Sequence, residues 1–165
     1  MGCKCRNKPV FAPENMEWGP VFWTLLHGLA EKAGTAPMVG LQADELRAWK
    51  TILTTLPKAL ACEDCRTHLN AYVLSHPVNI PDKHSDLRKY VRSYLYDLHE
   101  SVNKRLKKET FSSDDLAMVY KGIDLRKTYE VLNVVVKRSI QATAVPLLSW
   151  NSWSGHVRTL LGMYN

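Results

Sequence analysis

The stretch Trp18-Gly19-Pro20-Val21-Phe22-Trp23-Thr24-Leu25-Leu26-His27 begins the helical part of this 165-residue chain. Pro20 suits the first turn of a helix and Gly34 suits its end, so the pattern predicts a helix over about 20–33. Trp23, Leu26, His27 and Ala30 fall on neighbouring positions of one helical face. Nothing in the chain alternates polar and apolar residues convincingly, so we expect an all-α fold.

The helical pattern continues to Gly122, and a further amphipathic stretch follows it. Each further helix has a start or stop signal, such as a capping residue or a following proline. We expect a second helix from the N-cap Asp44 to about Leu56, a third from Cys62 to the residue before Pro77, a fourth from about Ser85 to Leu106, and a short fifth from Ser112 or Ser113 to Gly122.

The pattern therefore predicts a helical bundle with short connections and an extra C-terminal helical segment. Residues 1–17 carry two prolines and no helical period, so we interpret them as a flexible arm. Residues 18–122 form the predicted core, and residues 123–165 a C-terminal helical extension. Within that extension, 125–143 is amphipathic, and a tail rich in Trp and Ser follows.

The formal net charge of +6 indicates acidic partners, such as nucleic acid, anionic lipid or a phosphate-bearing cofactor. The charge is concentrated over Lys104 to Lys108. No apolar run is long enough to span a bilayer, and the basic N-terminus is not followed by the apolar segment of a secretory signal. Of these acidic partners, we expect neither a membrane nor a nucleic acid. The absence of targeting signals predicts a cytoplasmic location. A basic helical nucleic-acid binder is kept as an alternative.

The four cysteines form two close pairs, Cys3 with Cys5 and Cys62 with Cys65. A C-x-x-C pair can attach haem, bind zinc or act as a redox dithiol. Haem attachment requires His after the second cysteine, where Arg66 stands. Zinc requires two further ligands, which Cys3 and Cys5 could supply, so a zinc-stapled helical interaction module is an alternative.

The redox interpretation has support from the position of the pair. Cys65 falls in the first turn of a predicted helix, where free N–H groups and the helix dipole favour a thiolate. Arg66 and His68 add positive or donor character, whereas Glu63 and Asp64 oppose it. A dithiol only exchanges disulfides, so net disulfide formation needs an electron acceptor, commonly a flavin.

Helical spacing brings together the side chains that a flavin site would need. Trp23 and His27 share one helical face, Cys65 and His68 another, and His99 and Asn103 a third. If these faces point into the bundle, they line one cavity with rings, imidazoles, an amide and a dithiol. The basic cluster at 104–108 would lie at its mouth, which suits a flat ring with a pyrophosphate nearby.

Three segments in this order resemble the Erv/ALR family of FAD-linked sulfhydryl oxidases. Residues 18–27 resemble the family's opening G-x-x-x-W-x-x-x-H helix. Residues 62–68 resemble its active-site helix, and residues 98–108 its H-N-x-V-N-x-x-L-x-K segment. Pro20, Glu100 and Lys107 depart from the usual Arg, Asn and Gly. The Trp-Gly-Pro opening and the lack of further cysteines resemble the branch found in large cytoplasmic DNA viruses.

The resemblance implies a four-helix bundle with a short fifth helix that holds FAD at its centre, usually as a homodimer. Cys62 would be the outer and Cys65 the flavin-proximal catalytic cysteine, with Cys3 and Cys5 as a shuttle disulfide. No metal site is expected. The expected cofactor-binding residues are Gly19, Trp23, His27, His68, His99, Val102, Asn103, Lys104 and Lys108.

The activity that follows from the resemblance is FAD-dependent thiol oxidation. Electrons would pass from a client protein's dithiol, or from a thioredoxin-like carrier, to Cys3–Cys5, then to Cys62–Cys65 and the flavin. Molecular oxygen would accept them and leave as hydrogen peroxide. A viral protein of this kind would act in the host cytoplasm or the virion.

Overall fold

The computed structural model describes residues 13–164, and this range contains seven α-helices and no β-strand. The predicted all-α class is confirmed. Cys3, Cys5 and most of the predicted arm lie outside the described residues. The helices are α1 (Asn15–Lys32), α2 (Val39–Thr55), α3 (Glu63–Ser75), α4 (Leu87–Arg105), α5 (Leu116–Tyr120), α6 (Leu125–Gln141) and α7 (Leu147–Met163).

Helix α1 begins five residues earlier than the sequence pattern indicated. Glu14 and Glu17 form a capping box, in which the Glu14 backbone N–H donates to the Glu17 carboxylate at 3.3 Å. Pro20 therefore lies inside the helix and is not in its first turn. Gly34 follows the C-cap residue Ala33 with a φ of +77°, a left-handed conformation that glycine adopts without strain.

Helix α2 also begins early, because Asp44 does not cap it. The N-cap is Met38, and the Asp44 carboxylate instead pairs with the Arg47 guanidinium within the helix. The next residue, Glu45, is fully buried. It accepts hydrogen bonds from the Gly34 backbone N–H at 2.7 Å and the Tyr164 hydroxyl at 2.5 Å, so it joins the ends of α1 and α7.

Helices α3 to α6 lie close to their predicted positions. Cys62 is the N-cap of α3, and Ser112 caps a short 3-10 turn that leads into α5. Helix α4 follows a similar turn at His84–Asp86. The Trp- and Ser-rich tail is a further helix, α7, which the sequence pattern did not delimit.

The helices pack around one continuous apolar core. Helix α1 is central and contacts α4, α5 and α6, while α2 packs against α7 and α3 packs against α4. Trp153 of α7 is buried, stacks on Phe22 of α1 at a centroid distance of 5.4 Å and donates to the Ile52 carbonyl. None of the described helices combines the length and apolar character needed to cross a membrane.

Candidate active site

The redox pair lies at the N-terminal end of α3, where Cys62 and Cys65 form a disulfide with their Cα atoms 5.1 Å apart. Cys62 is half-buried as the N-cap, and Cys65 is 8% exposed in the first turn. The outer and inner sulfurs of a relay are therefore distinguished by their accessibility. Cys62 is the more accessible of the two.

The two sulfurs have different hydrogen-bond donors. Cys62 Sγ accepts from the Cys65 backbone N–H at 3.2 Å and lies 3.8 Å from Asn15 Nδ2. Cys65 Sγ lies 3.9 Å from Arg105 Nη2. The free backbone N–H of the helix start thus serves Cys62, whereas the sequence argument assigned it to Cys65.

A cavity of about 360 Å³ lies against the inner face of the disulfide. Its walls come from the start of α1, the first turn of α3, the end of α4 and α5. Ligand sites typically fall between about 300 and 1,000 Å³. The lining residues are Asn15, Met16, Trp18, Gly19, Pro20, Trp23, Thr24, Cys65, His99, Asn103, Leu106, Lys108 and Tyr120.

Stacked rings form one wall of this cavity. The Trp23 and His99 rings are nearly parallel, 5° apart, with centroids separated by 4.0 Å. His27 lies behind them and shares a hydrogen bond with His99, Nε2 to Nδ1, at 3.0 Å. Tyr120 of α5 stacks on His27 at 4.8 Å. The wall therefore depends on α1, α4 and α5 together.

Both histidines of this wall are neutral at physiological pH. Burial, then the nearby His99 and Arg92, lowers the pKa of His27 to about 3. Burial, then the charge of Lys108, lowers the pKa of His99 to about 4. The wall thus offers uncharged imidazoles, and Lys108 supplies a positive charge at the same cavity.

The turn after α4 holds the amide and the lysine in place. Asn103 is buried and its side-chain N–H donates to Glu100 Oε1 at 3.1 Å, while the Lys108 backbone N–H donates to the Asn103 carbonyl at 2.9 Å. Glu100 thus orients Asn103. Lys107 has a φ of +54°, a left-handed conformation that glycine adopts more readily than lysine.

Comparison with known proteins gives the same family as the motifs. The family model described as Erv1 / Alr matches residues 20–121. The chain belongs to the Erv1/Alr family. This match includes α1 from Pro20, the redox pair, α4 and α5, and it ends before α6.

Viral proteins are among the relatives of this Erv1/Alr chain. It is 29% identical over 115 residues to a protein of African swine fever virus named FAD-linked sulfhydryl oxidase, covering 70% of this chain and 88% of that protein. It is 32% identical over 97 residues to a protein of Invertebrate iridescent virus 6 that carries the same name provisionally, covering 55% and 80%. No solved structure matches the chain significantly.

The structure brings five of the nine predicted cofactor-binding residues to the wall of one cavity: Gly19, Trp23, His99, Asn103 and Lys108. The other four lie around it. His27 stands behind Trp23 and His99, and Val102 is buried in the core. His68 contacts Ser101 Oγ at 3.3 Å, and the exposed side chain of Lys104 has no hydrogen bond or ion pair among residues 13–164.

Sequence reasoning did not assign several residues that the structure places at the site. Asn15 and Arg105 lie at the two sulfurs, and Trp18 and Tyr120 line the cavity. Trp18 belongs to the opening motif at residues 18–27, so its sequence position could have indicated a place at the site. Asn15 had no such signal, because it lies in the segment interpreted as an arm.

A second groove borders the outer sulfur. It has a volume of about 430 Å³ and is formed by the start of α1 and the segment before α3, with Pro13, Met16 and Cys62 among its residues. Met16 is 72% exposed there. The groove shares Asn15 and Met16 with the inner cavity and adds Cys62 to its own wall.

The zinc alternative is not supported. Within residues 13–164, no group of three or more His, Cys, Asp or Glu side chains is arranged to hold a metal ion. Cys62 and Cys65 are joined as a disulfide, whereas zinc coordination requires both as thiolates. Cys3 and Cys5, which the alternative also needs, lie outside the described residues.

Proposed function

We propose that this protein is an FAD-dependent thiol oxidase that forms disulfides in client proteins. One observation carries the proposal: the buried sulfur of the Cys62–Cys65 disulfide borders a cavity lined by rings, an amide and a lysine. An electron acceptor in that cavity would lie beside Cys65. A relay of thiol–disulfide exchange could then end in a two-electron transfer to it.

The cavity residues fit FAD by their chemistry. Trp23 and His99 offer stacking faces, Asn103 an amide, and Lys108 an ammonium for a phosphate group. Trp18, which lines the same cavity, has a buried Nε1–H with no hydrogen-bond partner among residues 13–164. Such a donor is costly unless a ligand supplies an acceptor. When bound, FAD would supply a two-electron acceptor beside the dithiol.

The protein's own groups direct the opening of the disulfide. A substrate thiolate enters the groove at Pro13–Met16 and attacks Cys62 Sγ, because Cys65 is buried. A bond forms between the substrate sulfur and Cys62, the Cys62–Cys65 bond breaks, and its electron pair remains on Cys65 Sγ. The neutral pair His27 and His99 keeps additional positive charge away from the stacked wall.

The finer parts of the reaction are proposals of the same kind. Electrons would leave to molecular oxygen, with hydrogen peroxide as product. Cys3 and Cys5 would form the shuttle disulfide that receives electrons from protein dithiols or a thioredoxin-like carrier. The viral relatives support a place in the host cytoplasm or the virion, and a homodimer is proposed from the family resemblance.

Purified protein tests the activity directly. We expect flavin absorption in the visible spectrum, and oxygen consumption that depends on an added thiol such as dithiothreitol. Cys62→Ser and Cys65→Ser should keep the bound flavin and reduce turnover at least a hundredfold, because each removes the disulfide.

The shuttle pair supplies an internal control. Cys3→Ser should retain most turnover with dithiothreitol and lose it with a reduced protein client. A protein that folds but neither contains nor takes up flavin would refute the proposal. If Cys3→Ser and the parent oxidise protein clients equally, the shuttle role of Cys3 and Cys5 is refuted and the oxidase activity is not.

A further inference from the structure

Opening the disulfide places a negative charge on Cys65, and three basic side chains are candidates to stabilise it. Arg66 and His68 are its neighbours on α3, and Arg105 is the last residue of α4. Arg66 is turned away, since its Nη1 donates to the Leu60 carbonyl at 2.7 Å and the Ala144 carbonyl at 3.0 Å. It therefore anchors α3 to the segment before α7.

His68 is committed to a different role. The Ser101 hydroxyl donates to the Leu98 carbonyl at 2.7 Å, so its oxygen accepts from His68 Nε2 at 3.3 Å. This arrangement is satisfied by a neutral imidazole that carries its proton on Nε2. Burial, then the charge of Arg105, lowers the pKa of His68, which also favours the neutral ring.

Arg105 differs from both, because its Nη2 lies 3.9 Å from Cys65 Sγ. The donors described at the start of α3 serve the other sulfur. The Cys65 backbone N–H donates to Cys62 Sγ at 3.2 Å, and Asn15 Nδ2 lies 3.8 Å from Cys62 Sγ. Glu63 and Asp64, exposed in the first turn of α3, disfavour a third negative charge nearby.

We propose that Arg105 is a catalytic residue that stabilises the Cys65 thiolate released when a substrate thiolate attacks Cys62. This inference rests on the proposed thiol oxidase activity for its substrate. In the step, the substrate–Cys62 disulfide forms, the Cys62–Cys65 bond breaks, and the electron pair stays on Cys65 beside the guanidinium. A stabilised leaving thiolate departs faster in thiol–disulfide exchange.

The position of Arg105 also connects the sulfur to the cavity. Helix α4 carries His99 and Asn103 on the cavity side and ends at Arg105. A guanidinium is always charged, so this stabilisation does not depend on pH in the physiological range. One helix thus positions the cavity wall and the cation beside the sulfur that borders it.

The test measures the ionisation of Cys65 without any redox turnover. In the Cys3→Ser, Cys5→Ser, Cys62→Ser background, Cys65 is the single thiol, and its alkylation by iodoacetamide is followed against pH by mass spectrometry. We expect Arg105→Ala to move the midpoint of the rate profile up by about one pH unit. Arg105→Lys should restore most of the shift, because it keeps the charge.

A matched control removes the same charge elsewhere on the helix. Lys89 is exposed near the start of α4, about 24 Å along the helix from Arg105. Lys89→Ala should leave the midpoint within about 0.2 pH units of the parent. Rates at high pH should agree among all variants, which separates ionisation from changed access to the buried sulfur.

An unshifted midpoint in Arg105→Ala, or an equal shift in Lys89→Ala, would overturn the role of Arg105. Should Arg105→Ala fold poorly, Arg105→Gln and Arg105→Lys provide the same comparison with a longer side chain. The alkylation profile requires no flavin and no oxygen. Failure of this inference is therefore distinguishable from failure of the proposed oxidase activity.

Discussion

The paired histidines His27 and His99 show how single residues set the electrostatics of the site. They share one hydrogen bond, in which one ring nitrogen donates and the other accepts, and both rings stack within the same wall. Burial and nearby cations keep both rings neutral. Lys108 thus remains the positively charged group on this wall of the cavity.

This pair predicts a loss of stability in mild acid. The pKa of His27 falls from 6.5 to about 3 on folding, and that of His99 to about 4, so below pH 6.5 the unfolded chain binds protons that the folded chain does not. The stabilisation present above pH 6.5 is lost as pH falls toward 4. Each histidine should contribute about 1.5 kcal/mol of loss between pH 6.5 and pH 5.

Urea denaturation at pH 7 and pH 5 measures this effect. His27→Gln should lose less stability over that interval than the parent, because glutamine does not titrate. His156 is half-buried on α7, a helix that does not line the cavity, so His156→Gln is the control and should follow the parent. Identical pH slopes for His27→Gln and the parent would contradict the assignment.

Site residues that recur at helical spacing could be predicted from the sequence. Site residues that meet only through the packing of two helices could not. Trp23, His99 and Asn103 recur at helical spacing on α1 and α4, and the structure places all three on one cavity. Arg105 was visible only as a member of a basic cluster. Its contact with Cys65 depends on the packing of α3 against α4, across 40 residues of sequence.

At the scale of elements, a buried polar network fixes α7 to α2. The Tyr164 hydroxyl donates to Glu45 Oε1 at 2.5 Å and accepts from Trp49 Nε1 at 2.8 Å. Glu45 also receives the Gly34 backbone N–H and pairs with His84. The ends of α1 and α7 and the turn before α4 thus meet at one carboxylate of α2.

Tyr164→Phe should destabilise the protein by about 2 kcal/mol, because it leaves a buried carboxylate and a buried indole N–H with one partner fewer. The free energy of unfolding, measured by urea denaturation, gives the value. Tyr129→Phe is the matched control, since Tyr129 is half-buried and its hydroxyl has no hydrogen-bond partner among residues 13–164. A loss no greater than the control's would show that the network is dispensable.

Local signals explain which helices the sequence could predict. Helix α3 begins at its cysteine N-cap and stops before Pro77, as the capping rules indicate. Helix α7 was hidden because Ser, Asn and Gly, which are poor helix formers, surround its apolar residues. Trp150, Trp153 and Val157 nevertheless recur at spacings of three and four, and packing against α2 outweighs the weak propensity.

For the whole molecule, α6 and α7 behave as part of the core and not as an attachment to it. Helix α6 packs on α1, the helix that carries Trp23 and His27, and α7 packs on α2 and the turn before α3. The match to the family model ends at residue 121, before both helices. The segment beyond it therefore supplies the apolar surface that covers the outer sides of α1 and α2.

This arrangement predicts that the cofactor site depends on α7, although α7 does not line it. A chain ending at Val145 would expose Trp49 and Ile52, which are fully buried against α7. We expect it to lose cooperative thermal unfolding and bound flavin together.

In the full chain, Val157→Asp on the buried face of α7 should lower the free energy of unfolding by about 3 kcal/mol. Leu148→Asp on the exposed face should change it by no more than about 0.5 kcal/mol. Circular dichroism and flavin absorbance during heating measure both properties, and a truncated chain that unfolds like the parent would show that α7 is an independent addition.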